Sequence, residues 1–140
     1  MKIEFKKAKL SDYEEIHRVM QTSARKISRK AYHKDLVDTF DKFYVDKTKD
    51  YIKQTLENTH NHTIVAKDNY RIIGFIQLKV NKQICTISHL YVLPGYEGNS
   101  VGTQLFGLIK EQAVQLNSTK LLVESTLTWI FHETVARTVS

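Results

Sequence analysis

The sequence predicts an α/β (α+β) fold in which a mixed, mostly antiparallel sheet is flanked by helices. Three observations carry this expectation. The apolar period changes from helical spacing to strand alternation near Thr63, then returns to helical spacing near Val101. Three strand-like runs, Thr63 to Lys67, Arg71 to Val80 and Gln83 to Leu93, follow one another across short turn-forming segments. A single crossover then leads through a helix to a last strand, which favours one parallel pair.

Element by element, Lys2 to Ala8 alternates, with Ile3 and Phe5 on one face, and reads as a first strand. Ser11-Asp12-Tyr13-Glu14 fits a capping box with Ser11 at the N-cap and Glu14 at N3. Ile16, Val19 and Met20 follow at helical spacing, so a helix runs from about Asp12 into a basic stretch. Leu36, Phe40 and Phe43 give an apolar stripe to a second helical region from about Asp35, and Tyr51, Ile52, Thr55 and Leu56 mark a third over Asp46 to Asn58. Asp68-Asn69-Tyr70 and Asn81-Lys82 are turns between the strand-like runs. Gly74, inside the second run, marks a bulge or a close backbone approach. A helix from about Val101 to Gln115 is broken by Asn117-Ser118, and Lys120 to Glu124 is the last strand. The whole chain, 1–140, reads as one domain without repeats or linkers.

The most informative stretch is Ile87 to Ala113. An apolar strand stops at Pro94, a short loop carries Gly95, Gly98 and Gly102, and an amphipathic helix begins near Val101. A glycine-containing loop at a helix N-terminus is suited to hold a phosphate group. Unpaired N–H groups point outward there and the helix dipole favours negative charge. No GxxxxGK motif with a following Ser or Thr is present, and Gly98, Ser100 and Gly102 do not give the GxGxxG spacing of a dinucleotide fold.

The stretch resembles motif A of the GNAT superfamily of N-acetyltransferases. Leu90-Tyr91-Val92-Leu93-Pro94 matches the end of that motif's strand, and Glu97-Gly98-Asn99-Ser100-Val101-Gly102 occupies its loop, with Thr103 beginning the helix beyond. Glu97 stands where the family usually has Arg or Gln, and Ser100 replaces the middle glycine. The order of elements is also that of the family, so the resemblance extends from Lys2 to about Thr128. It implies a GNAT-type acyl-CoA N-acyltransferase fold and a co-substrate, acetyl-CoA. The pyrophosphate would rest on the amides of Glu97 to Thr103, and backbone groups of Leu90, Tyr91 and Val92 would hold the pantetheine arm.

The resemblance weakens after Glu124-Ser125-Thr126-Leu127-Thr128. Trp129-Ile130-Phe131-His132-Glu133-Thr134 does not continue the family pattern, and the usual C-terminal β-hairpin is lacking. The tyrosine that often protonates the departing thiolate has no counterpart, and His132 and Glu133 sit near its expected place. A last strand without the hairpin presents an open edge, so a homodimer covering that edge is expected.

Acetyl transfer to an amine needs a proton acceptor and a polarised thioester carbonyl. His89 is the candidate base, because imidazole titrates near neutral pH. Tyr91, on the same face by alternation, is the second catalytic candidate. Tyr32, His33 and Tyr44 are candidates to line an acceptor pocket. Each residue also has a plain structural reading, as a strand histidine or a core aromatic.

Composition narrows the alternatives. With 41% hydrophobic and 26% charged residues, the chain looks like an ordinary soluble protein. No apolar run approaches the roughly 20 residues that cross a bilayer. One cysteine, Cys85, excludes an internal disulfide framework and fits the cytoplasm, and no metal-ligand spacing stands out. The net charge of +6 is concentrated between Glu15 and Asp35, where Arg18, Arg25, Lys26, Arg29, Lys30 and Lys34 are the only charged residues. No helix-turn-helix, zinc or RNP pattern accompanies that charge, which argues against nucleic acid as a partner. The expected function is therefore transfer of an acetyl group from acetyl-CoA to a primary amine of a small molecule or peptide. The alternative is a catalytically impaired acyl-CoA-binding or scaffolding protein of the same fold.

Overall fold

The computed structural model of the 140-residue chain describes residues 2–31, 49–96 and 98–123. The strands are β1 (Ile3–Lys7), β2 (Asn61–Asp68), β3 (Arg71–Asn81), β4 (Ile84–Val92) and β5 (Lys120–Val123). They form one five-stranded sheet in the order β1-β2-β3-β4-β5. The first three pairings are antiparallel and β4·β5 is parallel, as a single helical crossover requires. The helices are α1 (Tyr13–Ala31), α2 (49–57) and α3 (Val101–Gln115).

The start of α1 differs from the sequence reading. A 3-10 turn over Leu10–Asp12 precedes it, and the Lys9 backbone N–H donates to Asp12 Oδ2 at 2.8 Å. Asp12 does for the Lys9 N–H what Glu14 was expected to do for the Ser11 N–H two residues later, and Ser11 lies inside the turn. The helical region expected from Asp35 lies outside the described residues.

Two turns owe their geometry to asparagine and lysine in the left-handed region. Asn69 has φ 57° between β2 and β3, and Lys82 has φ 57° between β3 and β4. The predicted irregularity at Gly74 is present one residue earlier. Ala66 pairs with Gly74 but Lys67 pairs with Ile72, so Ile73 is the extra residue of a bulge. Gly74 also allows a close approach: a Cβ there would sit 3.1 Å from the Tyr91 carbonyl oxygen. From α1, Glu15 accepts the Ile72 N–H at 3.0 Å while Arg18 donates to the Ile72 carbonyl at 3.2 Å. The helix thus satisfies backbone groups beside the bulge.

The sheet is covered on both faces. Ile16, Val19 and Met20 of α1 and Ile52 of α2 are buried on one side, and Val101, Leu105, Phe106 and Ile109 of α3 on the other. Strand alternation in β4 sorts its residues accordingly. Leu90 and Val92 face α3, where a Cβ on Gly102 would meet them at 4.0 and 3.9 Å. His89 and Tyr91 face the α1/α2 side. No helix of the described residues is long and apolar enough to cross a membrane.

Candidate active site

The candidate site lies at the C-terminal end of β4. The parallel ladder runs only from Ile84↔Lys120 to Ile87↔Val123. Beyond Ile87, β4 continues to Val92 with no strand on that side among the described residues. A second bulge lies in β4: Gln77 pairs with His89 and Leu78 with Ile87, leaving Ser88 as the extra residue. Bulges bend a strand and re-aim its side chains.

The direction of the β4 amides follows from one bond. The Leu93 N–H donates to the Ile73 carbonyl at 2.7 Å, so residue 93 points toward β3. By antiparallel alternation Tyr91 does the same, and Leu90 and Val92 turn their amides away from β3. Ser23 of α1 donates its hydroxyl to the Val92 carbonyl at 3.0 Å. That bond satisfies the carbonyl on the side of β4 away from β3.

The loop after β4 is arranged for an anion. Gly95 and Gly98 have φ of 96° and 85°, and Ser100, at the N-cap of α3, has φ 60°. The Ser100 carbonyl accepts the Gln104 N–H at 2.9 Å, which is the first bond of the helix. The N–H groups of Val101, Gly102 and Thr103 precede that bond and point out of the helix end. The Ser100 side chain makes no capping bond to them, and no acidic residue lies in the first turn. These amides therefore suit a phosphate group. Glu97 lies outside the described residues. Asn99 donates its side-chain amide to the Tyr96 carbonyl at 3.4 Å and so braces the loop from within.

Two loop residues give separate expectations. Ser100 adopts a backbone conformation that costs an L-residue about 1 kcal/mol and a glycine almost nothing. Ser100→Gly is expected to raise stability by about 1 kcal/mol, read as a higher denaturant midpoint with unchanged slope. Tyr96 donates its hydroxyl to Asp68 Oδ2 at 2.7 Å, tying the loop to the β2–β3 turn, and that bond pushes its pKa above the ordinary phenol value. Tyr96→Phe is expected to weaken binding of a phosphorylated ligand at this loop severalfold while leaving the fold intact. Equal affinity in calorimetric titration would show that the tie is irrelevant to the loop.

On the other face, His89 and Tyr91 lie together as alternation predicts, with ring centroids 6.5 Å apart. Phe75 contacts both, at 6.3 and 5.8 Å, and Tyr51 of α2 is 5.7 Å from His89. The basis for His89 as a near-neutral base does not survive this packing. Burial first, and the nearby Lys79 charge second, lower its pKa from 6.5 to about 4. At neutral pH the imidazole is uncharged. Tyr32, His33 and Tyr44, named for an acceptor pocket, and His132 and Glu133 lie outside the described residues.

Sequence reasoning missed a buried polar network behind His89. Gln77 donates its side-chain amide to the hydroxyls of Thr55 and Thr63, both at 3.0 Å. The Ser88 hydroxyl lies 3.4 Å from Gln77 Oε1 and 2.9 Å from His89 Nδ1. Gln77 is 1% exposed and Ser88 3%, so this network satisfies groups that would otherwise be costly to bury. The available signal was Gln77 itself, a polar residue in the apolar run Ile72 to Leu78.

Comparison with known proteins agrees with this fold. The sequence model of the acetyltransferase (GNAT) family matches residues 29–129. Among solved structures, a PaiA N-acetyltransferase from Thermoplasma acidophilum in complex with coenzyme A superposes with a TM-score of 0.67 and 22% identity, covering 82% of this chain and 74% of that one. A ribosomal-protein-alanine N-acetyltransferase from Brucella melitensis biovar Abortus gives 0.67 and 12%, covering 94% and 90%. An aminoglycoside acetyltransferase from an uncultured soil metagenomic sample, in complex with sisomicin, gives 0.69 and 10%, covering 97% and 87%. At these identities the likeness is one of fold. No curated protein sequence matches the chain.

Proposed function

Because this chain belongs to the acetyltransferase (GNAT) family, we propose that it transfers the acetyl group of acetyl-CoA to a primary amine of a small molecule or peptide. The observation that carries the reading is the glycine-containing loop that joins the end of β4 to the uncapped N-terminus of α3, with Gly95, Gly98 and Ser100 all at positive φ. The amides of Val101, Gly102 and Thr103, with the loop Gly98 to Ser100, would receive the pyrophosphate of the co-substrate. The amides of Leu90 and Val92 would receive its pantetheine arm in the manner of an added strand and polarise the thioester carbonyl. The amine nitrogen then attacks that carbonyl. A C–N bond forms, the C–S bond breaks, and coenzyme A leaves as the thiolate.

The amine must shed a proton during this exchange. His89, uncharged at neutral pH, serves as a transient relay rather than a store, because a base with a pKa of about 4 returns the proton to solvent at once. Tyr91 beside it orients the acceptor. Amine-dependent release of coenzyme A thiol tests the reading. Turnover with any amine supports it; tight acetyl-CoA binding without turnover on a broad amine panel favours the acyl-CoA-binding alternative, which the low basicity of His89 also suits. We place the protein in the cytoplasm as a homodimer paired along the outer edge of β5, where Leu122 is 48% exposed. Monomeric sedimentation at micromolar concentration overturns the dimer.

A further inference from the structure

Regular alternation would send Ser88 and His89 to opposite faces of β4. The bulge, with Ser88 as its extra residue, instead brings the Ser88 hydroxyl to 2.9 Å from His89 Nδ1. Both side chains are buried, so their hydrogen bonds are made within the protein. Which of the two atoms donates decides where the single ring proton of an uncharged imidazole sits. The far end of the network settles that question.

The Ile52 carbonyl of α2 can only accept, so the Thr55 hydroxyl spends its hydrogen there, at 2.8 Å. Thr55 Oγ1 must then accept from Gln77. That requirement turns the nitrogen end of the Gln77 carboxamide toward Thr55 and Thr63, at 3.0 Å each. Gln77 Oε1 is left on the Ser88 side, 3.4 Å from the hydroxyl, and the Gln77 main-chain carbonyl oxygen is 3.4 Å from it as well. Both oxygens are acceptors. The Ser88 hydrogen is therefore drawn to Gln77, and Ser88 Oγ takes a hydrogen from Nδ1. The opposite sense, with Ser88 donating to Nδ1, makes one bond fewer. It also leaves the buried Gln77 Oε1 without a donor among the described residues, which is costly. Tyr51 and Phe75 pack on the ring at centroid distances of 5.7 and 6.3 Å and hold its plane. A flipped ring would set a C–H group against the hydroxyl and lose the bond.

Resting on the acetyltransferase reading, we infer that Ser88, oriented by Gln77, is a positioning residue: it holds the His89 ring in the Nδ1–H form and leaves the Nε2 lone pair to take the proton of the acceptor amine. When Nε2 receives that proton, Nδ1 keeps its own hydrogen and its bond to Ser88 becomes charge-assisted. No bond in the network has to reverse as the proton arrives at Nε2 and leaves again for solvent. In the other form Nε2 already carries a hydrogen and Nδ1 is occupied by Ser88, so the ring has no lone pair to offer an amine.

Long-range ¹H–¹⁵N correlation of the histidine side chains in the ¹⁵N-labelled full chain, at neutral pH, reads the ring form directly. The His89 signals are identified by their loss in His89→Gln. The expected spectrum shows a protonated Nδ1 and an unprotonated Nε2. Ser88→Ala removes the acceptor; it is expected to return ring proton to Nε2 and to lower kcat at least tenfold, with the KM for acetyl-CoA unchanged. Ser88→Thr restores a hydroxyl and is expected to recover the Nδ1–H spectrum and most of the lost kcat. A purely structural role would lower the melting temperature of Ser88→Ala without moving the ring spectrum or kcat. The wild-type spectrum needs no variant and decides the assignment even if Ser88→Ala does not fold. A ring proton on Nε2 in the wild type, or wild-type kcat in folded Ser88→Ala, overturns the inference. Absence of amine-dependent turnover in the wild type overturns the acetyltransferase reading and with it the catalytic use of Nε2, while an Nδ1–H spectrum would still support the proton assignment.

Discussion

Gly102→Trp is expected to abolish acetyl-CoA binding, raising Kd at least 100-fold, while the protein remains folded. Gly102 occupies the first turn of α3, directly over Leu90 and Val92, at about 4 Å from their side chains. An alanine would be tolerated there, since its Cβ meets only ordinary van der Waals contacts. An indole there would fill space between the helix end and the end of β4, where the proposed co-substrate site lies. A loss of 100-fold corresponds to about 2.7 kcal/mol of binding free energy. Tryptophan is a better helix former than glycine, so the helix itself gains. The check is calorimetric titration together with a circular dichroism melt. Retained affinity in a folded Gly102→Trp protein would remove the helix N-terminus from the site.

The second large effect is expected at His89. His89→Gln preserves a polar group beside Ser88 but removes the imidazole, and kcat is expected to fall about 100-fold, with acetyl-CoA affinity unchanged. The same variant changes stability as a function of pH. Folding lowers the His89 pKa from 6.5 to about 4, so between those values the unfolded chain holds more protons than the folded one. Stability therefore falls as pH drops from about 6.5 toward 4, by about 3 kcal/mol for this group, and is fully present above 6.5. His17 and His62 are lowered in the same direction, chiefly by burial, and steepen the same slope. His89→Gln is expected to flatten the slope by its own share only. Wild-type kcat in this variant would make His89 a structural residue; an unchanged slope would contradict its burial as the cause of the low pKa.

Much of the architecture was legible because each element announces itself locally. The helix expected over Val101 to Gln115 is found with those bounds, since Ser100 and Asn117 both take left-handed backbone conformations beside it. The parallel β4·β5 pair followed from a single crossover, a constraint of topology rather than propensity. The facing of His89 and Tyr91 followed from alternation, although the bulge at Ser88 lies immediately before them. What the sequence withheld depends on the third dimension. Nothing in the neighbours of His89 announced that Tyr51, from a helix 38 positions earlier, would help bury it and lower its pKa. Lys9 and Asp12 took the cap positions expected of Ser11 and Glu14 because a 3-10 turn precedes α1, and boundaries of that kind are set by competition between nearby acceptors. The Thr55–Gln77–Ser88 network joins three elements, and its members had no shared pattern along the chain.

The proposed function requires that the end of β4 and the α3 N-terminus together receive acetyl-CoA. Backbone amide chemical shifts in a ¹⁵N-labelled chain, followed as acetyl-CoA is added, test it most directly. The expected result is saturable shifts at Leu90, Val92, Val101, Gly102 and Thr103, with β1 and the outer face of α3 unmoved. Saturable shifts confined to another surface, or none at all in the folded protein, would contradict it.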